Sequence, residues 1–178
     1  KALALSPNDF RKVVGLSAIG WVLAEDNSPA EADSYFLKAR QVAESANNER
    51  ALSFVLRQQS SAAFNLKEYE AAREHAGEAV RLTAPYEEED PLNYAYSLLQ
   101  LAMADKAAAE IRALSRDEDV LRIVEAEGDL PLMADAHYSL GLDYHSLHED
   151  RDKAKRHLEQ ARELYKRLGA TKYEIEVD

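Results

Sequence analysis

The residues best suited to chemistry lie late in the chain. His137, Tyr144 and His148 share one helical face, and His145 sits one turn from Glu149 on another. Histidines spaced three or four apart, with carboxylates nearby, are a way to hold zinc. The spacing here matches neither an HExxH helix nor a zinc finger. A di-iron carboxylate site needs Glu-x-x-His twice. Glu110 and Glu125 have no His three residues on, and Glu74 is followed immediately by His75. There is no Gly-rich phosphate loop, no G-x-S-x-G and no Ser/His/Asp set. No cofactor, metal or catalytic residue is expected, and the reading is non-enzymatic.

Two charged segments are candidate docking surfaces. Glu87-Glu88-Glu89-Asp90 precedes a helix start, where acids suit the helix dipole. It reads as a solvated loop more than as a site for a basic partner. The stretch from Arg151 to Arg167 is locally basic. Asp152–Arg156 and Glu163–Arg167 are spaced as i, i+4 ion pairs, so this reads as an exposed face, with nucleic-acid binding the lesser reading.

The elements that position these residues are helices. The 178 residues include no Cys, 6 Gly and 5 Pro, and 46% are hydrophobic. Without Cys there is no disulfide scaffold, zinc ribbon or thiol nucleophile. The net charge of −11 argues against a general nucleic-acid surface. It is spread along the chain, with 15 acidic and 10 basic residues in 1–90 and 18 and 12 in 91–178, as a soluble scaffold's would be. No apolar run is long enough to span a membrane. Residue 1 is Lys, and the apolar stretch Ala2–Leu5 is too short for a signal peptide. The chain reads as a processed or excised piece of a longer protein, cytoplasmic by default.

Ser6-Pro7, Ser28-Pro29, Asp90-Pro91 and Leu130-Pro131 mark helix starts. Ser28 and Glu31 are spaced as a capping box. Apolar periodicity predicts eight helices near 7–24, 29–46, 48–65, 68–84, 91–104, 107–127, 131–147 and 151–168. Ser115-Arg116-Asp117-Glu118 is a second capping-box pattern that would break the sixth. Gly128 and Gly169 read as C-caps. Tyr173–Val177 alternates like a strand without a partner and reads as a frayed tail within 170–178, or as the start of a further helix.

The first helices of successive pairs recur about every 40 residues, in the range of helical repeats. Inside the pairs a finer pattern returns. First helices carry Leu16, Ile19, Gly20, Leu23; Leu56, Gln59, Ser60, Ala63; and His137, Leu140, Gly141, Tyr144. Second helices carry Ala32, Phe36, Ala39; Ala72, Ala76, Ala79; and Ala154, Leu158, Ala161. In pair three, Leu98, Leu99, Leu101 and Ala102 leave the register open. His137 and Tyr144 thereby fall on core positions, which favours a structural role over a metal site.

This pattern resembles the tetratricopeptide repeat (TPR) family. The small residue in the first helix, the alanines of the second, Lys67–Ala72 and Asp152-Lys153-Ala154 carry the resemblance over most of residues 10–169. The pairs exceed the family's usual ~34 residues and resemble the lengthened repeats of bacterial regulatory proteins. The resemblance implies a single all-α repeat domain over 1–178. It would be a right-handed superhelix, a TPR-like α-solenoid of about four antiparallel helix pairs, 7–46, 48–84, 91–127 and 131–168.

It also implies a concave face lined by the first helices. Carried over by position, Trp21, Phe54, Arg57, Phe64, Asn65, Tyr94, Tyr138 and His145 are the expected partner-binding residues, with Val14, Ser17, Ala24, Glu25, Ser61, Ser97, Leu101, Ala104, Asp105, Asp135, Leu142 and Ser146 beside them. Aromatic anchors with Arg and Asn suit a peptide's side chains, backbone and carboxylates. Some members grip an acidic C-terminal tail through Lys, Arg and Asn in three repeats. The matching slots here hold Ser17, Trp21, Ser61, Tyr94 and Leu98, so that clamp is expected to be absent. The functional expectation is a protein-protein interaction module taking a peptide or partner helix. The alternatives are a signal-sensing domain of a larger bacterial regulator and a self-association scaffold.

Overall fold

A computed structural model describes residues 6–107, 112–146 and 150–170. Among them are eight α-helices: α1 (Pro7–Glu25), α2 (Pro29–Ser45), α3 (Glu49–Asn65), α4 (Tyr69–Thr83), α5 (Pro91–Ala107), α6 (Arg112–Glu127), α7 (Leu130–Ser146) and α8 (Arg151–Arg167). A short 3-10 turn, Ala84–Tyr86, leads from α4 towards α5. The residues 171–178, which include the strand-like tail, and His148, Glu149 and Glu110 lie outside the described residues.

The helix ends follow local hydrogen-bonding chemistry. Ser6 Oγ accepts from Asp9 N at 3.1 Å, Asn48 Oδ1 from Ala51 N at 2.8 Å, and Asp150 Oδ1 from Lys153 N at 3.0 Å. Each satisfies an amide that the helix itself leaves open. The α7 start is capped by Asp129, whose Oδ1 accepts from Leu132 N at 2.9 Å. The Ser28–Glu31 box does not close, because the Ser28 side chain makes no cap hydrogen bond. Nor does α6 break at Ser115; it runs through from Arg112. Its first turns are pinned to α5 by Arg116 on Asp105 and Lys106 on Asp117. Gly128 and Gly169 end second helices at φ 73° and 68°, and Asn27 and Lys67 take φ 57° and 64° at the turns between the two helices of pairs one and two. The spacings Asp152–Arg156 and Glu163–Arg167 form no ion pairs; Lys153–Asp150 does, at 3.9 Å.

Each helix packs on its neighbour in sequence, and the first helices α1, α3, α5 and α7 pack in series, giving an all-α solenoid of four pairs among the described residues. The crossings use small residues. A Cβ on Gly20 would meet the Phe36 ring at 3.1 Å and the Ala32 carbonyl at 3.2 Å. In pair two Ser60 takes this place, and its buried hydroxyl donates to Ala72 O at 2.8 Å. A Cβ on Gly141 would lie 2.6 Å from Leu158 Cγ. The alanines of the second helices, Ala32, Ala39, Ala72, Ala76, Ala79, Ala154 and Ala161, are all buried. They let the next pair approach to the ~8–10 Å of packed helices.

Pair four adds a ring stack. The Nδ1 atoms of His137 (α7) and His157 (α8) are 2.9 Å apart, so one ring donates and the other accepts. Tyr144 stacks on His157 at 5.6 Å between centroids, and its hydroxyl donates to Glu118 Oε1 at 3.0 Å. Burial, and then the facing His157, lower His137 to about 4.

Two predictions follow from this packing. Gly141→Ala should destabilise the fold by about 1–3 kcal/mol through overpacking. Gly15→Ala, mid-helix and with nothing within 4 Å of an added Cβ, should stabilise it by about 0.5–1 kcal/mol. Urea unfolding of both variants checks the pair, and equal effects would mean the crossing is not tight. The second concerns pH. The unfolded chain protonates His137 near 6.5 and the folded one only near 4, so its contribution is present above 6.5 and is lost as pH falls through that window. The stability gap between wild type and His137→Gln should therefore shrink from pH 7 to pH 4. A pH-independent gap would contradict the neutral pair.

Candidate functional site

The inner face holds an open cavity of about 620 Å³ where α3, α5 and α7 run past one another. Phe64 comes from the last turn of α3, and Tyr69, packed edge-on to it at 5.7 Å, from the first turn of α4. The α5 wall is Leu99, Gln100, Met103 and Lys106, and the α7 wall is Asp135, Tyr138, Ser139 and Leu142, closed by Tyr165 of α8. Met103 and Leu142, on the α5 and α7 walls, are 37% and 39% exposed and leave apolar surface open to solvent in the recess.

The polar groups of this cavity are held in place from behind. Lys106 Nζ reaches Asp117 Oδ2 at 2.5 Å, Asp143 Oδ1 at 3.1 Å and Ser139 O at 3.0 Å, and also bonds Ser139 Oγ. It thereby ties α5 to α6 and α7 at once. Burial pushes Asp117 up to about 7 even against the attraction of Lys106. Tyr165 donates to Asp135 Oδ1 at 2.6 Å, and burial raises the Asp135 carboxyl above its ordinary value. Asp105 is fully buried between Arg73, at 3.0 Å, and Arg116. Among the described residues no group of three or more His, Asp or Glu is placed to hold a metal ion. No described helix is long and apolar enough to cross a membrane.

The inner face continues from the cavity towards the start of α5. Ser61 Oγ donates to Gln100 Oε1 at 3.1 Å. One turn further, Arg57 Nη1 donates to Asn93 Oδ1 at 2.6 Å and to Ser97 Oγ at 3.3 Å. Its guanidinium lies 5.9 Å from the Phe54 ring centre and 5.6 Å from that of Tyr96.

Of the eight expected contact residues, Phe64 and Tyr138 line the cavity, and Arg57 and Phe54 lie further along the same face. Trp21 is partly buried against the core of α1–α3. Asn65 lines a separate recess with Glu25, Asn27 and Lys67, and His145 is exposed beyond the cavity lining. Tyr94 requires a correction. It packs against the core of α5, α6 and α7, with Glu87, Asp119 and Arg122 as its charged surroundings. The expected α5 positions Tyr94, Ser97, Leu101 and Ala104 are one residue out of register. Gln100 and Met103 line the cavity and Asn93 and Tyr96 lie against Arg57, while Ser97, Leu101, Ala104 and Asp105 are buried. Tyr69, Lys106 and Tyr165 were not expected in the site. A tyrosine at a second-helix start and a lysine at the end of α5 were the available signals, and neither identifies a partner by spacing.

No family model and no curated protein matches the chain. Solved structures do. The apo form of RapI superposes with a TM-score of 0.72 at 19% identity, over 89% of this chain and 58% of that one. Another is a Signal Transduction ATPase with Numerous Domains (STAND) protein with a tetratricopeptide repeat sensor, from Pyrococcus horikoshii. It superposes with a TM-score of 0.71 at 18% identity, over 92% of this chain and 26% of that one. The chain thus spans only part of each neighbour's length. At these identities the likeness is one of fold, and with the stacked pairs and small-residue crossings it makes this chain a TPR-like α-solenoid.

Proposed function

We propose that this chain is a non-catalytic interaction module that captures a peptide or partner helix on its inner face. The observation that supports the reading is the cavity between α3, α5 and α7, where Phe64, Met103, Tyr138 and Leu142 leave apolar surface open to solvent beside fixed polar groups. Such a surface gains ~25 cal/mol per Å² when an apolar side chain covers it. Aromatic walls supply area at little entropic cost. The rigid backing of Lys106 and Asp135 means that little ordering remains to be done on binding.

The second reading is a sensing role inside a longer regulator. It is favoured by the likeness to a protein whose repeat domain is a sensor and by the partial span of both neighbours. The two readings share one surface and differ in what lies beyond the chain.

A synthetic library of randomised dodecamers tests the shared claim. Enriched peptides should bind the wild-type chain and lose at least about tenfold in affinity, or ~1.4 kcal/mol, to Met103→Glu and to Leu142→Glu. Both positions are more than a third exposed, so melting temperatures should stay close to wild type. A library without binders, or binders indifferent to both substitutions, would overturn the groove.

A further inference from the structure

Arg57 is a desolvated cation whose charge the fold does not balance. Burial lowers it to about 10. Its hydrogen-bond partners among the described residues are all neutral oxygens: Asn93 Oδ1 at 2.6 Å, Ser97 Oγ at 3.3 Å and Asn93 O at 3.4 Å. All three bonds use Nη1, which leaves Nε and Nη2 without a hydrogen bond to the described residues. The nearest acidic influence, Asp90, is engaged by Arg50 at 3.1 Å. The contrast within the molecule is sharp. Arg73 and Arg116 close on Asp105, and Lys106 closes on Asp117 and Asp143.

A partly buried cation held only by neutral groups carries a desolvation cost, and a neutral glutamine could make similar bonds to Asn93 and Ser97. An arriving anion would offset that cost. A guanidinium presents its remaining N–H groups as a fork matched to a carboxylate. Phe54 and Tyr96 flank the guanidinium, their ring centres 5.9 Å and 5.6 Å from it. A single cation on a chain of net charge −11 suits a lone carboxylate better than a phosphate-rich polyanion.

The spacing sets the rest. Arg57, Ser61 and Phe64 follow one another along α3, so at ~1.5 Å per residue the guanidinium's turn lies about 10 Å from Phe64. An extended peptide covers that in about three residues at ~3.3 Å each.

We propose that Arg57 is the anion subsite of the groove. It takes a carboxylate of the bound peptide, from an Asp or Glu side chain or the C-terminus. That carboxylate sits about three residues from an apolar side chain seated between Phe64 and Tyr138. This rests on the groove reading above.

The test uses dodecamers enriched from the synthetic library with free C-termini. Each is remade with Asp→Asn or Glu→Gln, and separately with a C-terminal amide, so the two carboxylate sources are told apart. One of these changes should weaken binding to wild type about tenfold and should have little effect on Arg57→Gln. The carboxylate peptide should also lose affinity as salt rises, while its amide counterpart does not. This arm needs only the wild-type protein and survives a poorly folded variant. Equal affinity of carboxylate and amide forms for wild type would overturn the subsite and leave the groove standing. So would an equal loss on Arg57→Gln if Arg57 merely braces α3 against α5. A library with no binders would remove the groove, and the subsite with it.

Discussion

The structure depends on how closely two helices of a pair can cross. At Gly20 the α1 backbone rests against the Phe36 ring, and at Gly141 the α7 backbone rests against Leu158. At Ser60 the crossing is closed by a hydroxyl bonded to the Ala72 carbonyl. Each small residue sets the separation of its pair, and the buried alanines on the second helices carry that tight spacing to the next pair. A repeat of this kind cannot bury its apolar face alone, so these crossings decide whether the stack forms. The inner face is made of what remains: first-helix side chains that neither crossing nor stacking consumes.

Pair three departs from this scheme, and the cavity lies beside it. α5 has no glycine, and it buries Leu98, Leu99 and Leu101 together with Ala95, Ala102 and Ala104. The end of the pair is held by ions instead. Asp105 joins α4 to α6 through Arg73 and Arg116, and Lys106 joins α6 to α7 through Asp117 and Asp143. Buried pairs of this sort add little net stability, but removing one partner leaves an uncompensated charge, which makes the arrangement specific. Met103 and Leu142 line the cavity beside this arrangement, each more than a third exposed.

Much of this was legible in the residues themselves. Ser6, Gly128 and Gly169 announce helix ends because caps and left-handed turns are local chemistry. Gly20, Ser60 and Gly141 recur at a fixed place before the alanine sets because the crossing demands small side chains. Tyr94 was misplaced because the register of α5 is set by partners on α3 and α4, and a run of leucines carries no mark of which face each one meets. The brace on Lys106 and the closing wall at Tyr165 join residues 11 to 37 positions apart or lie across helices, where no periodicity reports them. The His137–His157 contact was half visible, since His137 sits on the core face while its partner lies 20 residues on.

Binding in the cavity between α3, α5 and α7 would be felt by one methionine and not by the other. The chain has two methionines, and the fold separates them. Met103 lines that cavity with more than a third of its surface exposed, whereas Met133 is packed between the cores of pairs three and four. Carbon-13 methyl NMR of the two methionines, titrated with a library-selected dodecamer, separates the sites directly. The Met103 methyl resonance should shift saturably with peptide while that of Met133 stays near its starting position. Calorimetric binding that leaves Met103 unmoved, or that moves Met133 alone, would place the peptide outside this cavity.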